Sequence, residues 1–429
     1  MSKQLKIYQK ILQVMIVLCI GVMAVMGYLQ IQSKLPNEIR IIGGKEQALR
    51  FGIPASGDVY EQTVEAGDFT KSNIPKNKLH LNFKDSITIK GDNTGEYEIQ
   101  CKLFGIIPLK NVKLEVIEEK ELIPAGLPIG IYVKTKGVLV IGTGTIRGMD
   151  GINYEPANNL LLSGDYIETL NGQEVKNKED LIQKINQSNG KETVLGIRRG
   201  KESFGVKVMP IQTSPEEYKI GIWVRDNTQG IGTLTFLDEF NGFGALGHGI
   251  NDVDTSKLME LEGGFLYHTE IVSVIKGESG NPGELTGVID YAKGNVLGTI
   301  LKNTNGGIFG SGNSLLIDKV GQEALPICLK QDIKLGPGKI LCSVNGTPVY
   351  YDVEITKVDY SADSINKGIV FKVRDENLLA LTGGIVQGMS GSPIIQDGKF
   401  VGAVTHVFVQ DSTKGFGIFI ENMLEANLE

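Results

Sequence analysis

A serine framed by glycines offers the clearest chemistry in this chain. Gly388-Met389-Ser390-Gly391-Ser392-Pro393 reads Gly-x-Ser-Gly-x-Pro, and it is followed by Ile394-Ile395, a turn at Asp397-Gly398 and a strand-like run from Phe400 to Val404. Glycines let the backbone bend tightly, which presents the hydroxyl and turns nearby N–H groups toward one point. Stabilising an oxyanion requires that convergence. A serine hydroxyl also needs a base to attack near neutral pH, and histidine is the usual one. The chain has 4 histidines, at 80, 248, 268 and 406. His248 lies in Gly244-Ala-Leu-Gly-His-Gly-Ile-Asn-Asp252, where glycine on both sides clears room around an imidazole. His268 follows Tyr267 in a strand-like run, and His406 sits in the strand expected after Ser390, so both rank below His248. His80 alternates with apolar neighbours and reads as a strand residue.

The serine motif resembles the nucleophile loop of chymotrypsin-like serine peptidases. That resemblance makes Ser390 the nucleophile and the N–H groups of Gly388 and Ser390 the oxyanion donors. About 140 residues separate His248 from Ser390, which suits a histidine on a first β-barrel and a serine on a second. Residues 219–429 contain short apolar segments separated by glycine, and a pair of packed barrels needs about this length. Chymotrypsin-like topology would place the carboxylate that orients the histidine some forty residues after it, where Asp290 lies. Asp252 and Asp254 read as turn or capping residues.

The rest of the chain must position these groups. Its 429 residues exceed one ordinary domain, and 55 glycines without low-complexity repeats indicate short strands and tight turns. The fold expected is mainly β. A net charge of −7 with no basic stripe argues against nucleic acid as a partner. No Cys-x-x-Cys or His-Glu-x-x-His spacing suggests a metal or other cofactor, and a serine–histidine hydrolysis needs none. Cys328 and Cys342 are expected as buried thiols, with a bridge between them as the alternative.

Lys3, Lys6 and Lys10 precede Ile11–Leu29, an apolar run interrupted only by Gln13. Its roughly nineteen residues nearly span a hydrocarbon core, and the lysine bias places the N-terminus in the cytoplasm. Residues 1–31 are therefore expected to be a cytoplasmic stub and uncleaved membrane anchor, with the remainder outside. A cleaved signal peptide is the competitor, but no clean A-x-A site follows the run. Residues 40–116 read as a small β-rich domain without evident chemistry.

From 123 to 210 the pattern changes. Ser163-Gly-Asp-Tyr-Ile-Glu-Thr-Leu-Asn-Gly172 precedes a helix capped by Asn177, with Leu181, Ile182 and Ile185 on one face. Two strands then turn at Gly200. This region resembles a PDZ domain of the bacterial protease-associated type. The resemblance implies that a Φ-Gly-Φ loop receives a peptide's end on backbone N–H groups while the peptide adds a strand. Ile129-Gly130-Ile131 matches that loop, with Leu181 and Ile185 bordering the groove.

Anchor, β segment, PDZ-like region, Gly-His-Gly-Ile-Asn-Asp and Gly-Met-Ser-Gly-Ser-Pro together resemble the stage IV sporulation protein B family. These are PDZ-bearing serine peptidases of endospore-forming bacteria. The resemblance implies an Asp shortly upstream of the serine as the third catalytic residue, and Asp375 matches. It further implies a place in the forespore intermembrane space, self-cleavage, and cleavage of an inhibitory membrane protein of an intramembrane protease complex that activates a late sigma factor. The alternatives are a PDZ scaffold or signalling protein whose peptidase-like domain is inactive, and a structural envelope protein, which needs no nucleophile.

Overall fold

A computed structural model describes residues 3–61, 79–91, 94–360 and 364–428. The helix Lys3–Lys34 contains a segment, Ile7–Lys34, that is long and apolar enough to cross a membrane, with a mean hydropathy of 2.3 in its most apolar window. Its last turns rest on a five-stranded sheet ordered Glu38–Ile42, Ile107–Ile117, Gly95–Leu103, Ala55–Glu61 and Leu79–Asn82. Alternation along these strands sends Ile39, Ile99, Val112 and Leu114 into one core, against which Tyr28 and Ile31 of the helix pack. This is the expected small β domain.

That domain is tied to the far end of the chain by a buried guanidinium. Arg40 pairs with Glu38 and Glu115 of its own sheet, each at 2.9 Å. It also pairs with Glu421 at 3.3 Å and with Glu425, both on the helix Ile420–Leu428. A buried charge survives only when paired in this way.

The peptidase-like part holds two six-stranded rings. In the second, Gly336–Cys342, Val349–Val358, Ile369–Val373, Asp411–Phe419, Lys399–Phe408 and Pro393–Gln396 close into a barrel. In the first, Glu121–Thr143 pairs with Ile222–Leu237 and with Leu261–Ile275, and Gly242–Ala245, Gly307–Gly312 and Val296–Thr304 complete the circuit. The mainly β, double-barrel expectation holds. Cys328 and Cys342 are buried free thiols, and burial pushes Cys328 up to about 12.

The expected boundary at 123 is corrected here. Residues 123–135 are a strand of the first barrel, not part of the following module. Ile129, Gly130 and Ile131 pair with Gly232, Ile231 and Gly230 on one side and with His268, Tyr267 and Leu266 on the other. Ile129 and Ile131 are buried in the barrel core with Leu234, Leu266 and Ile300. The compact module begins where the same strand leaves the barrel. It packs Val138, Val140, Ile167, Leu181, Ile185 and Ile197 into a core of its own. Chain direction then reverses, and Ile222–Leu237 returns along the partner strand from module to barrel. The module is thus inserted at the tip of a long hairpin of the first barrel. Its helix Lys178–Gln187 starts as expected, with the Asn177 side chain accepting from Asp180 N at 2.8 Å.

Candidate active site

Ser390 and His248 stand on loops where the two barrels meet. The serine loop follows a left-handed turn, with φ of +95° at Gly388 and +99° at Gly391. A side chain at Gly391 would collide with Thr233 O and crowd Leu246 N, so only glycine fits between the barrels there. Thr233 braces the loop from the first barrel. Its N–H donates to Ser390 O at 3.1 Å, and its hydroxyl donates to Gly388 O at 2.7 Å. Met389 N and Gly391 N are spent on Val386 O and Val404 O. The N–H groups of Gly388 and Ser390 have no hydrogen-bond partner among the described residues, which leaves both expected oxyanion donors available.

The Ser390 hydroxyl donates to Thr405 O at 2.7 Å. The adjoining residue, His406, brings its ring to a centroid distance of 5.2 Å from that of His248. Gly247, at φ +70°, packs against Thr405, Ile418 and Ala403 of the second barrel, which carries His248 to the junction. The Nδ1 of His248 lies 2.9 Å from Gly249 O. A carbonyl only accepts, so Nδ1 carries the proton and Nε2 keeps its lone pair. Burial, opposed by that carbonyl, holds His248 below the ordinary histidine range. Part of His406 is exposed, yet desolvation first, then the His248 ring and the Lys367 ammonium, push its pKa down to about 4.

His268 and His80 lie elsewhere. The His268 ring sits 3.8 Å from Glu270 on the strand Leu261–Ile275, and His80 bonds Asp58 in the N-terminal sheet.

Neither aspartate proposed to orient His248 does so. Asp375 caps the helix Glu376–Thr382, its carboxylate accepting from Asn377 N and Leu378 N at 3.0 Å each. Asp290 closes its own turn by accepting from Ala292 N at 2.9 Å and Asn295 Nδ2 at 2.6 Å. Asp252 and Asp254 pair with Arg225, and Asp252 caps its own loop, as their sequence context suggested. Among the described residues no carboxylate forms an ion pair with His248 or His406. The Gly249 carbonyl takes the tautomer-fixing position instead. Asn is as good a cap as Asp. Asp375→Asn is therefore expected to keep thermal stability within about 0.5 kcal/mol and turnover within a few-fold. A loss of several thousand-fold in kcat in a folded protein would put the carboxylate back beside the imidazole.

Two concave surfaces flank the serine, and neither was evident from sequence. One, lined by Gln229, Ile231, Glu284, Leu285, Gln387 and Gly388, opens beside the oxyanion loop. The other is polar and lies by His406, with Asn251, Asn305, Asn366 and Lys367.

A third groove lies on the inserted module, between the helix Lys178–Gln187 and residues 217–224. Leu181 and Ile185 border it as expected, but Ile129, Gly130 and Ile131 do not. A second Φ-Gly-Φ triplet, Ile220-Gly221-Ile222, lines it instead. Gly221 has φ +70°, and its carbonyl accepts from Gly144 N at 2.9 Å. Among the described residues, 222–225 pair only with 139–143, so their other edge is open.

Two β-barrels with a histidine loop from one and a serine loop from the other at their junction define a two-barrel peptidase architecture. Residues 216–424 match the family model described as SpoIVB peptidase S55. The peptidase region of this chain belongs to that family of sporulation peptidases. The matched segment begins after the strand Glu121–Thr143, although that strand completes the first barrel. No curated protein matches the chain.

Proposed function

We propose that this protein is a membrane-anchored serine endopeptidase in which Ser390 is the nucleophile and His248 the general base. The convergence of Ser390, its unpartnered loop N–H groups and an Nδ1-protonated imidazole at the barrel junction carries this reading. For attack, the Ser390 hydroxyl rotates from Thr405 O toward His248 Nε2, which takes its proton. The N–H groups of Gly388 and Ser390 then hold the oxyanion, and His248 returns the proton to the leaving amine. Fluorophosphonate labelling of the wild-type protein, absent in Ser390→Ala, tests the assignment. An unlabelled, folded wild type would favour a scaffold with an inactive peptidase domain.

The inserted module is read as a PDZ domain that binds an extended peptide along the open edge of 222–225, with the peptide's end at Ile220-Gly221-Ile222. The long apolar helix and the family favour a single-pass protein whose catalytic part lies outside the cytoplasm, in the forespore intermembrane space. Its substrates are then itself and an inhibitory membrane protein that restrains an intramembrane protease.

The obvious position to test in the groove is Gly221, not Gly130. A side chain at Gly130 would collide with Ile289 and Thr269 inside the barrel wall, so its effect would not be confined to recognition. At Gly221 a side chain meets the Gly144 carbonyl and a disfavoured φ at the groove's edge. Gly221→Val is expected to weaken peptide binding at least ten-fold while turnover of a short unanchored substrate stays within about three-fold. Calorimetry and a peptide-hydrolysis assay measure the two halves, and equal losses would make the module a structural prop.

A further inference from the structure

The turn between Gly95–Leu103 and Ile107–Ile117 carries apolar side chains where a soluble domain normally places polar ones. Phe104, Ile106 and Ile107 are 66%, 81% and 48% exposed, and none joins the core beneath. The turn itself is well fixed. Ile106 N donates to Leu103 O at 3.1 Å, and Phe104 N donates to Pro54 O at 2.8 Å.

Its placement relative to the long N-terminal helix gives these residues a setting. Lys110 Nζ donates to Leu35 O, Gln32 Nε2 to Leu109 O at 3.4 Å, and Tyr28 OH to Pro108 O at 3.0 Å. As the helix is followed back from 35 through 32 to 28, the strand runs beside it from 110 through 109 to 108. The chain beyond Pro108 therefore continues toward the apolar part of the helix. Two to three further residues at about 3.3 Å each bring the turn roughly 7–10 Å past Pro108. On the helix that distance corresponds to about five to seven residues, which sets the tip near the level of Gly21–Met23. Tyr28 then occupies the depth where aromatic residues mark the membrane–water boundary. Lys34, at the exposed end of the helix, lies on the headgroup side of it.

We propose that Phe104, Ile106 and Ile107 insert into the acyl-chain region of the outer leaflet beside the helix, as a second membrane contact. The proposal rests on the helix Lys3–Lys34 crossing the bilayer. A single helix lets the domain above it swivel and tilt, whereas a helix and a hairpin together fix its height and orientation. The barrels, tied to this sheet through Arg40, are then held at a set distance from the lipid surface.

Brominated acyl chains quench tryptophan on contact, and the sequence has 1 tryptophan, Trp223. The full chain carrying Trp223→Phe, with either Ile106→Trp or Val17→Trp, is reconstituted in vesicles of dibromostearoyl or of dioleoyl phosphatidylcholine. Both probes are expected to lose at least half their emission in the brominated lipid, while the wild type with Trp223 alone loses little. Quenching at 17 without quenching at 106 would overturn the hairpin contact and leave the anchor standing. Quenching at neither would remove the anchor and this proposal with it. Quenching at 106 alone would discard the spanning helix and overturn the proposal as stated, since the hairpin's depth is set from that helix.

Discussion

Ser390→Ala is expected to lower peptide hydrolysis by about 10,000- to 1,000,000-fold in kcat, with little change in KM. The substitution removes the one oxygen able to form the acyl bond. The cleft around Ile231 and Leu285 beside the loop is untouched, so substrate binding there should be preserved. Folding should survive, because the hydroxyl makes a single hydrogen bond, to Thr405 O, on a half-buried loop. The stability loss is about 1 kcal/mol, the usual size for one such bond. Steady-state kinetics on a short peptide and a thermal melt measure the two quantities. Turnover near wild type would remove Ser390 from the nucleophile role.

His248→Ala is expected to produce a loss of the same depth, and Ser390→Ala combined with His248→Ala should be little worse than either alone. Nucleophile and base act as one unit, so removing the second after the first removes almost nothing further. The pH profile gives an independent reading. His248 must be neutral to accept the serine proton, and burial lowers its pKa. Its protonated form is therefore populated only below the ordinary histidine value of 6.5. kcat/KM should stay flat through neutrality and fall as pH drops beneath that value. An acid limb above 6.5 would contradict a half-buried, carbonyl-oriented imidazole. Near-normal turnover in His248→Ala alongside an inactive His406→Ala would give the base role to the second histidine.

The serine and histidine loops were legible in the sequence because glycine leaves a local signature wherever backbone must pass close to other backbone. Gly391 does so against Thr233 and Leu246 at the barrel junction, and Gly249 does so against Thr304 beside the histidine. Leu181 and Ile185 were legible for another local reason, the spacing of a helix face. What failed was any feature decided by distant partners. Ile129-Gly130-Ile131 and Ile220-Gly221-Ile222 are the same triplet type, and only pairing tells an occupied strand from an open edge. An aspartate before a short helix looks alike whether it caps that helix, as Asp375 does, or reaches across to an imidazole. The Arg40 clamp was invisible for the same reason, since Glu115 and Glu421 lie 75 and 381 positions away.

The hairpin that carries the inserted module also bears on how the chain finds its fold. Residues 123–135 must meet 227–237 across roughly ninety intervening residues before the first barrel can close. Closing a flexible loop of that size costs about 4 kcal/mol of chain entropy at (3/2)RT ln n. The module removes most of this cost if it folds first, because its own strands 138–143 and 222–225 already lie side by side. A compact domain then serves as an oversized hairpin turn, delivering both barrel strands in register. Folding order would follow from topology, with module before barrel, and the helix Ile420–Leu428 would seal the assembly last by reaching Arg40.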